Sequence, residues 1–360
     1  MKKFFLGSLF ILSCFIFTAC GGSQSASTND KKEVSSKEAT VKVVSGTYVL
    51  QEGDSVNDGE GYLALDVSIK NNTKDPINII QDDLNLYDKE GNKVANKNIY
   101  STESDFQTLQ MENLSGGKST KGYVIFKVDK DKKYELHYAP MITDSEKKEK
   151  DIVVDVNTKD FKDSSDQVKK ATEEYLNKVF LGKETDKKSE LLSNDLVKEH
   201  NEFNQKFSEE LKNNFDSYVP SDDEVKTLIT KFEEVNQKKA EINYEVKALF
   251  PNKAVITVKP TVLSFDDVDA SSIVETFVEQ NEGKYEDYDK AVQDSEKYLI
   301  QQLPTKFDQT TPRQPQYMPK DGYKLILTKE KDKWKIDTAS SSDNYQFDDL
   351  KSIFMGGLDE

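Results

Sequence analysis

Residues 62–77 read YLALDVSIKNNTKDPI. Leu63, Leu65, Val67 and Ile69 alternate with Ala64, Asp66, Ser68 and Lys70, the period of two that marks a strand with one face buried. Asn71 and Asn72 end the run with turn chemistry. The same period returns at Val124, Phe126 and Val128, at Tyr134, Leu136 and Tyr138, and at Ile152, Val154 and Val156. Turns at Asp88-Lys89-Glu90-Gly91 and at Gly116-Gly117 separate these runs. About seven short strands in this length predict an antiparallel sandwich of two sheets over residues 40–157.

Two further stretches, LNLYDKEG at 84–91 and GKSTKGYVIF at 117–126, follow that corner in order. Together the three runs resemble the immunoglobulin-like, telokin-like domain common in lipoproteins of Gram-positive bacteria. The resemblance implies an all-β sandwich and brings no catalytic residues with it.

From about Asp163 the apolar period becomes helical. Val168, Ala171, Tyr175 and Val179 share a face, with Gly182 as the stop. Leu192, Leu196, Phe203, Phe207 and Leu211 mark a second helical region. Ser221 and Glu224 form a capping box for a third, striped by Val225, Leu228, Ile229, Phe232 and Val235. Ile242 to Ala248 and Val255 to Leu263 then alternate as two strands. Ser272 with Glu275 is expected to cap a helix carrying Ile273 and Phe277, and a longer helix runs from Tyr288 to Leu303. A polar, proline-marked loop spans Pro304 to Pro319, and Tyr323 to Leu327 with Trp334 to Ile336 close a hairpin.

Helices first, then long antiparallel strands ending in WKID at 334–337, resemble the cone-shaped α+β fold of the nuclear-transport-factor and cystatin superfamilies. The fold class expected is thus multidomain: an all-β immunoglobulin-like sandwich, then an α+β domain with an antiparallel sheet over 163–345. Residues 346–360 are expected to be an acidic C-terminal tail, and the two domains to unfold independently.

The N-terminus reads as an address. Lys2 and Lys3 precede an apolar run from Phe4 to Phe17, whose fourteen residues would rise roughly 21 Å as helix, short of a ~30 Å hydrocarbon core. Phe17-Thr18-Ala19-Cys20 resembles the lipobox of bacterial lipoproteins, with Phe17 in place of the usual leucine. The resemblance implies a signal peptide over 1–19 and a diacylglycerol on Cys20. Residues 20–39, nearly devoid of apolar side chains, are expected to form a lipidated flexible tether on the outer face of the cell membrane. An ordinary secretory cut near Ser25 is the competing reading.

Composition narrows the function. Losing Lys2 and Lys3 leaves 48 basic residues against 66 acidic ones, so nucleic acid is a poor partner. Of the two cysteines, Cys14 leaves with the leader and Cys20 carries lipid, which excludes disulfides, thiol nucleophiles and thiolate metal sites. No phosphate loop, GxGxxG, HExxH or GxSxG pattern occurs, and no cofactor is expected.

Candidate sites are few. Asp54, Asn57, Asp58 and Glu60 cluster before a strand, and hard oxygens this close could hold Ca²⁺, which takes six to eight; their spacing lacks the EF-hand order and Gly53 and Gly59 read as turn formers, so no metal is expected. Asp266, Asp267 and Asp269 read as a helix entry. His137 reads as a surface histidine and His200 as a core-edge one. Tyr244, Phe277, Tyr288, Tyr298, Tyr323 and Trp334 either line an apolar pocket or fill the core of the cone. With no catalytic set, the reading is a non-catalytic binding module at the cell envelope, its partner an unknown envelope protein. A carrier or sensor of a small apolar ligand and a cryptic enzyme of the cone superfamily are the alternatives.

Overall fold

The structure, a computed structural model, describes residues 32–94, 96–99, 106–140, 151–184 and 188–358. The leader, Cys20 and the tether up to residue 31 lie outside the described residues.

The first half is all β. Its strands are β1 (Glu33–Ser35), β2 (Ala39–Val49), β3 (Glu60–Asn71), β4 (Ile77–Ile79), β5 (Leu84–Asp88), β6 (Lys93–Val94), β7 (Glu112–Leu114), β8 (Ser119–Asp129), β9 (Lys133–Tyr138) and β10 (Ile152–Asn157). Two antiparallel sheets of four, β1-β2-β3-β8 and β10-β9-β5-β6, face one another, and β4 pairs with β7. The register places Leu63 opposite Phe126 and Leu65 opposite Val124, so both strands turn the same set inward. These side chains meet Leu136, Tyr138 and Val154 of the second sheet in one core. A slip of one residue would turn the whole set outward, which is why the alternation pins the register. The tether expected over 20–39 is corrected at its end: Glu33 to Ser35 pair with Lys42 to Thr40 as an edge strand.

The corner after β3 is held by Asn71, which is fully buried. Its Nδ2 donates to the carbonyls of Asp75 (2.7 Å) and Leu114 (2.9 Å), and its Oδ1 accepts from the Thr73 amide (2.9 Å) and hydroxyl (2.8 Å). Every polar atom of this buried amide is therefore satisfied.

The second half is α+β. In order come α1 (Ser165–Tyr175) with a π-helical turn (Leu176–Phe180), α2 (Leu196–Asn213), α3 (Asp222–Lys239), β11 (Glu241–Leu249), β12 (Lys253–Thr261), α4 (Ala270–Gln280), α5 (Tyr288–Gln309), β13 (Tyr323–Glu330), β14 (Lys333–Ile336) and α6 (Tyr345–Phe354). The strands form one antiparallel sheet in sequence order. The Ser221–Glu224 capping box is present and starts α3, whose stripe from Val225 to Val235 is buried.

Three expectations change here. The helix after residue 268 is capped by Asp269, which accepts from the Ser272 amide, so Ser272 lies inside α4. Helix α5 continues through Pro304 to Gln309, because Leu303 and Phe307 are buried and hold that last stretch on the core. Residues 346–360 are not a tail in their described part. Helix α6 buries Phe347, Leu350, Ile353 and Phe354 in the same core as α1, α2 and α3.

The halves, which the change of apolar period marks as independently unfolding domains, are however joined by more than the covalent link. Leu50, just past β2, and Leu249, at the end of β11, exchange both backbone hydrogen bonds. Phe250 of the next turn then packs on Phe106 (centroids 5.3 Å apart) in a small core made with Val49, Ala64, Ile99 and Ile125. Lys324 of β13 also pairs with Glu52 at 3.1 Å.

Candidate functional site

The loop before β3 uses its acidic oxygens internally. Asp54 pairs with Lys97 at 2.7 Å, and Glu60 pairs with Lys127 at 2.7 Å while accepting from the Asn57 side chain at 2.8 Å. The Lys127 and Asn57 contacts hold the Glu60 carboxyl below the usual range, as lysine-bound carboxylates are held. Among the described residues no three acidic, histidine or cysteine side chains gather closely enough for a metal ion. Asp54, Asn57 and Glu60 thus have a structural account of their own, in which they brace a turn, while Asp58 is exposed.

The aromatic set of the second domain divides. Tyr323 and Trp334 are buried in the main core, and Tyr244 packs against its edge. Phe277 and Tyr298 touch (centroids 5.6 Å) between α4 and α5. Tyr288 stands apart at 80% exposed. The interior is packed ring against ring instead: Phe232 stacks on Phe265 at 5.1 Å and meets Phe307 at 5.2 Å and Phe207 at 5.5 Å. The six aromatics are not brought together around one cavity.

One polar cluster lies within that interior. The π turn after α1 carries the chain to Gly182, which takes the left-handed conformation (φ 61°). His200 of α2 donates from Nδ1 to the Val179 carbonyl at 2.9 Å, and Asn204 lies 3.2 Å from its Nε2. Glu233 of α3 is buried beside them, with Oε1 4.0 Å from His200 Nδ1 and without a hydrogen bond. Burial pushes its carboxyl up to about 7, against a smaller opposing pull from Asn204. Sequence pattern placed His200 at the core edge but gave no signal for Glu233, which sits one residue after Phe232 in a helix rich in acids.

The second feature is a surface cleft. Arg313 bonds reciprocally with Val262 through the backbone (3.1 Å each way), extending the end of β12. The chain then loops out over Gln314–Gly322 and returns to β13 through Gly322, left-handed at φ 87°, where a Cβ would meet the Val258 carbonyl at 2.6 Å. Between this loop and the Gly356–Gly357 turn after α6 lies a cleft of about 70 Å³, lined also by Ser264, Asp266, Gln314, Gln316 and Tyr317. Tyr317 is 81% exposed beside it. The Arg313 side chain, anchored through Nε to the Asp267 carboxylate, is 64% exposed. The loop is short, closed at its base and held by the sheet, as functional Ω-loops are. Arginine and tyrosine presented in this way are the side chains that most often anchor protein contacts.

An all-β region followed by an α+β region with a surface cleft is the class that the fold defines. The chain belongs to the family described as Domain of unknown function (DUF5105), matched over residues 158–355. Residues 26–150 match a second description, Domain of unknown function (DUF4352). Among curated proteins it is similar to "Uncharacterized lipoprotein YcdA" of Bacillus subtilis (strain 168), 26% identical over 98% of this chain and 99% of that one. The crystal structure of YcdA superposes with a TM-score of 0.71, covering 90% of this chain and 98% of that one at 21% identity. The likeness extends over both halves, so the arrangement of a β region followed by an α+β region is shared.

Proposed function

We propose that the chain is a lipoprotein, held on the outer face of the cell membrane by a diacylglycerol on Cys20, that works by binding and not by catalysis. The name of its curated relative supports the first part. In line with a lipid anchor, no helix among the described residues is long and apolar enough to cross a membrane. The observation that carries the second part is the cleft beside Arg313 and Tyr317. Two anchor-type side chains stand in solvent there on a loop pinned to a sheet, while the interior rings pack on one another. A rigid platform limits the ordering cost of association, so a small surface suffices for a specific contact.

The partner is an envelope protein that offers a complementary patch to an arginine and tyrosine pair on a chain of net charge −16. The test is retention of the purified chain on envelope fractions. Arg313→Ala with Tyr317→Ala should abolish retention; because the first change leaves the Asp267 carboxylate without its partner and lowers the melting temperature, retention is compared well below the transition, where both proteins are folded. Unchanged retention of a well-folded double variant would remove the cleft from the account.

A further inference from the structure

Glu233 sits among groups that do not neutralise it. It is nine-tenths buried in the middle of α3, and its Oε1 is sealed from water without a hydrogen bond. His200 Nδ1 approaches to 4.0 Å, yet its hydrogen goes to the Val179 carbonyl. On the other side Gly182 closes against the carboxylate, where a Cβ would stand 2.6 Å from Oε2. Both the carbonyl and the glycine belong to the irregular stretch after α1, in which Leu181 N–H bonds the Leu176 carbonyl at 3.0 Å and Lys183 N–H bonds that of Asn177 at 2.9 Å.

The charged groups around it are few. From α2 only His200 and the neutral Asn204 reach the site. Lys178, the one titratable side chain of the π turn, lines a different cleft at the start of α2. On α3 itself Glu234 is exposed, and Lys231 is turned to α5, where it holds Asp308 at 2.8 Å. Gln237 donates to the Leu181 carbonyl at 2.5 Å, tying α3 to the same stretch.

We infer that Glu233, His200 and the turn from Val179 to Gly182 form a proton-controlled clasp, closed on α3 when the Glu233 carboxyl is protonated and loosened when it ionises. A buried carboxylate without a cation is costly, and the cheapest relief is to admit water by opening the least regular element that covers it. That element is the π turn, a geometry that is rare and frequent at functional sites; its Leu176, Val179 and Phe180 are buried, so its irregular hydrogen bonding, and not loose packing, marks it as the point of opening. The near-neutral titration of Glu233 puts the change within the range of ordinary surroundings. Since Lys178 stands in the same turn, opening alters the cleft at the start of α2.

Hydrogen exchange by mass spectrometry on the full chain tests the clasp, with labelling times scaled for the intrinsic rate at pH 5.5, 6.5 and 8.0. In the parent, the peptide spanning residues 176–184 should open about tenfold more at pH 8.0 than at pH 5.5. In Glu233→Gln, neutral at every pH, it should show no such dependence. Should that variant fail to fold, Glu233→Met replaces it, being uncharged and of similar length. Flat protection of 176–184 in the parent, or the same pH dependence in the uncharged variant, would overturn the clasp.

Discussion

Leu50 and Leu249 exchange backbone hydrogen bonds of 2.8 Å in both directions, so the end of β2 and the end of β11 form a one-step antiparallel ladder between the two halves. The bond brings Phe250 onto Phe106 and the outer face of β3 and β8. Two domains joined by a shared apolar cluster gain cooperativity that a bare linker does not give.

The first prediction follows from that contact. The parent should melt as one calorimetric transition. Phe250→Ala should cost about 2–3 kcal/mol, below the ~3–5 kcal/mol of a fully buried aromatic because the ring is only partly buried. It should also split the transition in two. Two transitions already present in the parent would show that the junction does not couple the halves.

The second concerns pH. The Glu233 carboxyl lies at about 7 when folded, raised from a value of 4.5 when unexposed to the fold. The folded form therefore holds the proton more tightly. The stability linked to this group is complete below pH 4.5, falls as pH rises toward 7 and is constant above, a span of at most about 3 kcal/mol. Melting temperatures of Glu233→Gln and the parent should converge at pH 5 and separate by pH 8, with the variant higher. A parent that gains on the variant as pH rises would reverse the sign and reject the assignment.

The third concerns the anchor. With Thr18-Ala19-Cys20 closing the leader, cells given a clickable fatty acid should label the wild-type protein and leave Cys20→Ala unlabelled and longer. An unlabelled wild-type chain of mature size in the medium would show an ordinary secretory cut instead.

The β half was legible because its signal is local: Leu63 to Ile69 alternate without a break, and the buried Asn71 was visible as a turn former. The capping box at Ser221 was legible for the same reason. Helix α6 was missed although Phe347, Leu350, Ile353 and Phe354 have helical spacing, because Asp348, Asp349 and the two closing glycines gave the segment the look of a solvated tail. Pro304 misled at the end of α5, where tertiary burial of Phe307 outweighs the missing hydrogen bond. The cleft and the Glu233 cluster are products of long-range contact. Arg313 meets Asp267 and Val262 from some fifty residues away, and Glu233 meets Gly182 at a similar separation, so no window of sequence contains either site.

Site-specific photocrosslinking in living cells tests most directly whether the Arg313–Tyr317 cleft binds a partner at the envelope. A photoreactive phenylalanine analogue in place of Tyr317 should give one discrete adduct, lost when Arg313→Ala is added. The same analogue at Tyr288, equally exposed on α5, should give none. No adduct at 317, or the same adducts at both positions, would contradict the claim.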